Sequence, residues 1–156
     1  MAAGDVTVFN QAGLDLGNNI MNYGSDTFNF ALITASTTPL ATTAGPHFNG
    51  TGTTDMSTNE VTAGGNYSAG GVALAGRAWS GAAGTKTLAF DKVLIAQNAA
   101  NPTNARWGII YDNTDANKRC LAFCDFGAVF DLTIGPFEFR FNSIDGNGAM
   151  MNLVVN

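Results

Sequence analysis

A chain of 156 residues has the size of one domain, and 46% hydrophobic residues are enough to give it a buried core. Only 12% of the residues are charged, the formal net charge is −5 and the seven basic residues are scattered. That balance excludes the cationic footprint that nucleic acid or an anionic membrane would require. The longest apolar runs are a handful of residues, far short of the ~20 that cross a bilayer as a helix. MAAGDVTVFN carries neither the basic nor the apolar region of a secretory signal, so synthesis and folding in a cytoplasm are expected, with both cysteines reduced.

Taken in chain order, residues 5–10 read as a first β-type run. Residues 11–21 are the one plausible helix, with Leu14, Gly17 and Met21 about a turn apart, and their glycines predict a short or distorted one. In 27–35, Phe28, Phe30 and Leu32 alternate with other residues, the period of a half-buried antiparallel strand. The segment 36–71 is different in kind, being rich in Thr, Gly, Ser and Asn with only isolated apolar residues. It is long for a loop inside a compact domain, so it is expected to reach across to a neighbour or to lie over the domain. Further strands are predicted at 72–80, 86–89, 105–112, 119–126, 137–141 and 152–155, with a linker-like stretch at 97–104. In 137–141 the residues Phe137, Phe139 and Phe141 share one face and Glu138 and Arg140 the other. Gly and Asn punctuate these runs every eight to twelve residues. The rhythm predicts an all-β antiparallel sandwich or barrel with one short N-terminal helix: a single domain over 1–156, an N-terminal arm at 1–10 and a long loop excursion at 36–71.

The stretch RCLAFCDFG, residues 119–127, holds the two most suggestive chemical signals. Asp125-Phe126-Gly127 matches the magnesium triplet of protein kinases, but the phosphate loop, strand lysine and catalytic loop that give it meaning are missing from the sequence. It is expected to close a strand in a turn. Cys120 and Cys124 in a regular strand would share a face about 13 Å apart, too far for a disulfide. Cys120, Ala122, Cys124 and Phe126 are expected on one face with Leu121 and Phe123 on the other, and the thiols packed as small hydrophobes. His47 is the only histidine, too few for a zinc set and without an evident orienting carboxylate for a triad. Asp145-Gly-Asn-Gly148 reads as a tight turn rather than a calcium loop, and Asp112-Asn-Thr-Asp115 as a hairpin-type connection. Gly64–Gly71 lacks the strand and helix that would make it a phosphate cradle. No catalytic, cofactor or metal-binding residue is predicted, and the chain is not expected to be an enzyme.

From Val61 onward the sequence resembles a family of small structural proteins of tailed-bacteriophage particles, of capsid decoration or cement type. The resemblance rests on VTAGGNYSAGGVALAGRAWS, on RWGIIYDNTDANKRCLAFCDFG and on PFEFRFNSIDGNG, with FNFALITAS, residues 28–36, similar to the family's first long strand. It covers about two thirds of the chain, and the two cysteines and the Thr/Gly-rich excursion depart from it. It implies a non-enzymatic protein on the capsid surface of a virion, in contact with the major capsid protein and with further copies of itself, as a trimer or other small ring. Contacts would come from the arm and the excursion, through Val6, Phe9, Leu40, His47, Phe48, Met56 and Tyr67. Alternatives are a tail, baseplate or fibre component, or a carbohydrate- or receptor-binding module stacking sugars on Trp79, Trp107, Tyr67 and Tyr111.

Overall fold

A computed structural model describes residues 6–82, 85–141 and 149–154. The described elements are β1 (Val6–Val8), α1 (Asn10–Gly17), β2 (Phe28–Ile33), β3 (Pro46–His47), β4 (Thr54–Asp55) and a 3-10 turn (Met56–Asn59). They continue with β5 (Val72–Ala73), β6 (Ala78–Ala82), β7 (Thr85–Ala89), β8 (Val93–Ile95), β9 (Ala105–Asp112), β10 (Cys120–Phe130), β11 (Phe137–Phe139) and β12 (Ala149–Val154). This is an all-β fold with one short helix, and its described sheets do not close into a barrel. A central sheet runs β1-β10-β9-β2-β5, all antiparallel. Two smaller antiparallel sheets, β12-β7-β6 and β11-β8, accompany it, and β3 and β4 form a short parallel pair. No described helix is long and apolar enough to cross a membrane.

Alternation along β2 separates two cores. Phe28, Phe30 and Leu32 enter one cluster with Leu88, Phe90, Val93, Ile95, Phe139 and Phe141. Its aromatic rings interlock across the layers: Phe30 stacks on Phe139 at 5.1 Å between centroids, and Phe28 meets Phe90 edge-on at 5.6 Å. Ala31 and Ile33 point the other way, into a second cluster with Phe9, Phe48, Met56, Trp107, Ile109, Tyr111, Cys120 and Phe123. The strand expected to be half-buried is therefore buried on both faces, because 36–71 covers the second one. Phe48 lies parallel on Tyr111, 4.6 Å between centroids and 6° between planes. Backbone bonds from Val61 N–H to Leu32 O and from Thr34 N–H to Asn59 O fasten the same segment to the edge of β2.

The longest strand departs most from the predicted pattern. Cys120 pairs with Tyr111 and Ala122 with Ile110, so Leu121 is an extra residue without an opposite number, a β-bulge. The bulge shifts the faces by one residue. Cys120 and Phe123 lie in the second cluster, while Leu121, Ala122 and Cys124 lie in the first. The two cysteines thus face opposite sides of the sheet instead of sharing one. Both are free and buried, and burial pushes both thiols well above their ordinary pKa. Cys124 fits because β9 carries glycine opposite it: a Cβ on Gly108 would come within 2.6 Å of the Cys124 Sγ and 2.5 Å of the Phe30 ring.

Nor does β10 end at the Asp-Phe-Gly triplet. It continues to Phe130, with a register break between Asp125 and Phe130. Gly127 takes a φ of 83°, open to glycine without strain, and donates its N–H to Asp125 Oδ1 at 2.6 Å. The predicted turn is an irregularity within a strand, and Asp125 is held there by an ion pair with Arg106.

Other boundaries moved for local reasons. Residues 72–80 break into β5 and β6 where the chain leaves the sheet, with Leu74 N–H on Phe28 O and Ala75 O accepting from Asp91 N–H. The helix stops at Gly17, and Asp15 O accepts from both Ile20 and Met21 N–H as the chain turns. Its buried residues are Ala12 and Asp15, whereas Leu14, placed by periodicity on the apolar face, is 60% exposed. The connection at Asp112–Asp115 forms as predicted, with Asp112 Oδ1 accepting from Thr114 and Asp115 N–H at 2.8 and 3.1 Å. The turn predicted at 145–148 and the first five residues of the arm lie outside the described residues.

Candidate functional site

The seven expected contact residues divide sharply by position. Val6 is half-buried in β1, paired with Cys124, so this part of the arm is a strand of the central sheet. Phe9, Phe48, Met56 and Tyr67 are at most 2% exposed and His47 is 6% exposed, so their surfaces are used inside the molecule. Phe9 packs on the Phe123 ring at 4.9 Å, and His47 bridges through its backbone to Arg119. Leu40, at 57% exposure, is the one of the seven left open. For Phe48, Met56 and Tyr67 the physical reason is the same: a polar segment can be held over a sheet only if its few apolar residues are the ones inserted.

Glu60 anchors the far part of that segment. Its Oε1 accepts from the Tyr67 hydroxyl at 2.8 Å and from Gly70 N–H at 2.7 Å. The Tyr67 oxygen in turn accepts from Leu32 N–H at 2.9 Å, a β2 donor that would otherwise be buried without a partner. Tyr111 donates its hydroxyl to Gly70 O at 2.8 Å and accepts from Asn29 Nδ2 at 3.2 Å. Burial, with the Glu60 charge adding to it, pushes both phenols up, so they remain neutral donors. Asp55 braces the near part through bonds from Ser57 Oγ at 2.7 Å and from Ser57 and Asn49 N–H at 2.9 and 3.0 Å. Burial acts to raise its pKa, but these hydrogen bonds outweigh it and hold the carboxyl below the ordinary range. The network fixes a segment in place.

At the end of β9 two carboxyls meet. Asp112 is fully buried and its Oδ2 has no hydrogen-bond donor. Burial raises its pKa, the two N–H bonds on Oδ1 oppose that, and the Asp26 carboxylate raises it again, leaving it at about 6. A proton held on Asp112 would supply a donor where its Oδ2 otherwise has none. Among the described residues, no three His, Cys, Asp or Glu side chains converge as a metal ion would require.

Exposed large apolar side chains occur towards both ends of β10. At its start, α1 packs beside the strand, Phe9 N–H bonds to Leu121 O and Asn10 N–H to Ala41 O; here Leu14, Ile20 and Leu40 are 60%, 40% and 57% exposed. At its far end Val129 and Ile134 are 52% and 80% exposed, and Leu94 stands 53% exposed on β8. The ends of an eleven-residue strand are up to about 33 Å apart. No periodic signal marks these residues as exposed, since Ile134 and Leu40 sit in loops and Leu14 falls on the helical apolar stripe. Of the aromatics considered as sugar platforms, Trp107, Tyr67 and Tyr111 are buried, and only Trp79 is half-exposed, edge-on to Tyr23 at 5.4 Å. No family model, curated protein or solved structure matches the chain.

Proposed function

We propose that the protein is a non-enzymatic structural component of a tailed-bacteriophage particle, a decoration or cement protein bound to the outside of the capsid. Its partners are the major capsid protein and further copies of itself. The observation that carries this reading is the pair of exposed apolar groups at the two ends of β10, on a chain with only 12% charged residues. A strand with an adhesive group at each end can bridge two neighbouring subunits, and a charge-poor surface lowers the desolvation cost of close packing. The sequence resemblance supports the same reading. Binding of this kind stabilises the shell by mass action, because it favours the assembled state alone.

The test is sedimentation of the purified protein with capsids that lack it. Leu14→Asp and Ile134→Asp should each reduce the protein recovered with heads by about tenfold or more while leaving its melting temperature unchanged. Recovery with tails instead of heads would favour the tail or baseplate alternative. Undiminished recovery of both variants would remove the bridging mechanism.

A further inference from the structure

At one margin of the three-stranded sheet lies β6, hydrogen-bonded to β7 on one side and to no described strand on the other. Its pairing runs without a bulge from Ala78 opposite Ala89 to Ala82 opposite Thr85. The strand reads Ala-Trp-Ser-Gly-Ala, and Ala78, Ser80 and Gly81 are exposed. Edge strands are ordinarily blunted by a charge, a proline or a bulge, and β6 carries none of these.

The alternation of the ladder decides which backbone groups this edge offers. Ala82 and Thr85 are joined by two residues, so they form a hydrogen-bonded pair and turn their N–H and C=O groups towards each other. Ser80 and Ala78 then also face β7. Trp79 and Gly81 present their groups outwards, where no described backbone group meets them. An incoming strand has to set its own outward-facing residues opposite these two. A second copy of β6 does so in one antiparallel register that pairs the whole strand: Trp79 opposite Gly81, and Ser80 opposite itself on a two-fold axis.

The side chains favour the same register. Trp79 and its neighbour across the pair, Leu88, point to the face that packs on the phenylalanine cluster, and the indole stays half-exposed. Gly81 lies on that face too and is crossed by Lys86, since a Cβ there would come within 2.8 Å of the Lys86 ammonium. Among the described residues Lys86 has no acidic partner. With Trp79 of the second copy opposite Gly81, its indole comes beside that ammonium, a favourable cation–ring contact. Sliding the pair by two residues is worse in either direction. One slip sets Gly81 on Gly81 and brings two Lys86 ammoniums together; the other sets Arg77 opposite Gly81 and beside Lys86.

We infer that β6 is a self-association edge, through which two copies join their three-stranded sheets into one continuous sheet. This deepens the capsid reading and rests on it for its setting, because copies crowded on a shell meet at high local concentration. A five-residue strand falls far short of the roughly 20 residues a side of a standard interface, so free copies should pair weakly. The two-fold contact closes as a dimer, unlike the ring that the resemblance implies.

The test uses the full chain without capsids, so its failure is distinct from a failure to bind heads. Sedimentation equilibrium should show a dimer with a Kd on the order of 0.1–1 mM. Ser80→Lys changes an exposed residue and sets two ammoniums together on the axis. It should weaken dimerisation about tenfold or more and leave the melting temperature unchanged. Ser80→Cys should oxidise to a linked dimer at least about ten times faster than Thr51→Cys, which is exposed elsewhere. Opposed Cα atoms at a non-hydrogen-bonded position lie about 4.5 Å apart, within disulfide range. Both native thiols are buried and do not compete. Monomer up to about 1 mM, dimerisation undiminished by Ser80→Lys, or equal oxidation of the two cysteine variants overturns the assignment.

Discussion

The two faces of the central sheet are covered by opposite means. On one, strands β8, β11 and β7 bring a ladder of phenylalanines over Phe28, Phe30 and Leu32. On the other, a Thr- and Gly-rich segment with hardly any regular structure lays Phe48 and Met56 on Tyr111 and Cys120. The first cover is continuous and apolar. The second is a polar cord pinned at a few points by buried rings and by Glu60. A cover without periodicity can still close a core, provided its isolated apolar residues are inserted and its backbone polar groups find partners.

Removing one ring from each cover measures their relative strength. Phe30→Ala and Phe48→Ala each remove a fully buried ring and should each cost about 4 kcal/mol in urea unfolding, within about 1 kcal/mol of one another. A cost below about 1.5 kcal/mol for Phe48→Ala alone would make the cord an appendage rather than a core layer.

Next in size is the Asp26–Asp112 pair at the end of β9. The folded pKa of Asp112 is about 6 against an ordinary value of 3.8, so the native state binds the extra proton between these values. Its contribution is therefore fully present below about pH 4 and lost as pH rises through 6, on the order of 3 kcal/mol. Asp112→Asn keeps the acceptor for Thr114 and Asp115 and adds a donor towards Asp26. Its stability measured from pH 4 to 7.5 should lack that decline and exceed the wild type at the upper end. A parallel pair of profiles would show that the carboxyls do not share a proton.

A smaller effect separates pinning from packing. Glu60→Ala leaves Gly70 N–H and the Tyr67 hydroxyl without their acceptor and should cost about 2 kcal/mol, with faster hydrogen exchange at Gly70. Exchange unchanged at that amide would mean the cord is held by its rings alone. Smallest of all, Leu14→Asp and Ile134→Asp should move stability by less than about 0.5 kcal/mol, since both side chains are exposed.

The same contrast explains what could be read from the sequence. The phenylalanine face was legible because alternation at Phe28, Phe30 and Leu32, and again at Phe137 and Phe139, reports burial directly, and β9 falls on its predicted residues 105–112. Three-residue β8 was missed because Val93, Leu94 and Ile95 are too few to show a period. The cord was illegible for a different reason: Phe48 and Met56 carry no pattern relating them to Tyr111, which is more than fifty residues away from each. Ala122, Cys124 and Phe126 share a face as expected, with Phe123 opposite, but the bulge at Leu121 puts Cys120 on the other side and Leu121 on theirs, since an extra residue leaves no mark in the alternation. In the helix, no periodic signal sets Asp15 apart, since Leu14, Gly17 and Met21 mark a different stripe. Only the fold, by burying Ala12 and exposing Leu14, turns it inward.

The proposed attachment to a capsid shell through two exposed ends of one strand is tested by copy number in purified particles. Quantitative staining of fractionated virions should find hundreds of copies per particle, all with the heads and lost together on mild stripping. A few tens of copies travelling with tails, or none in any particle, would contradict it.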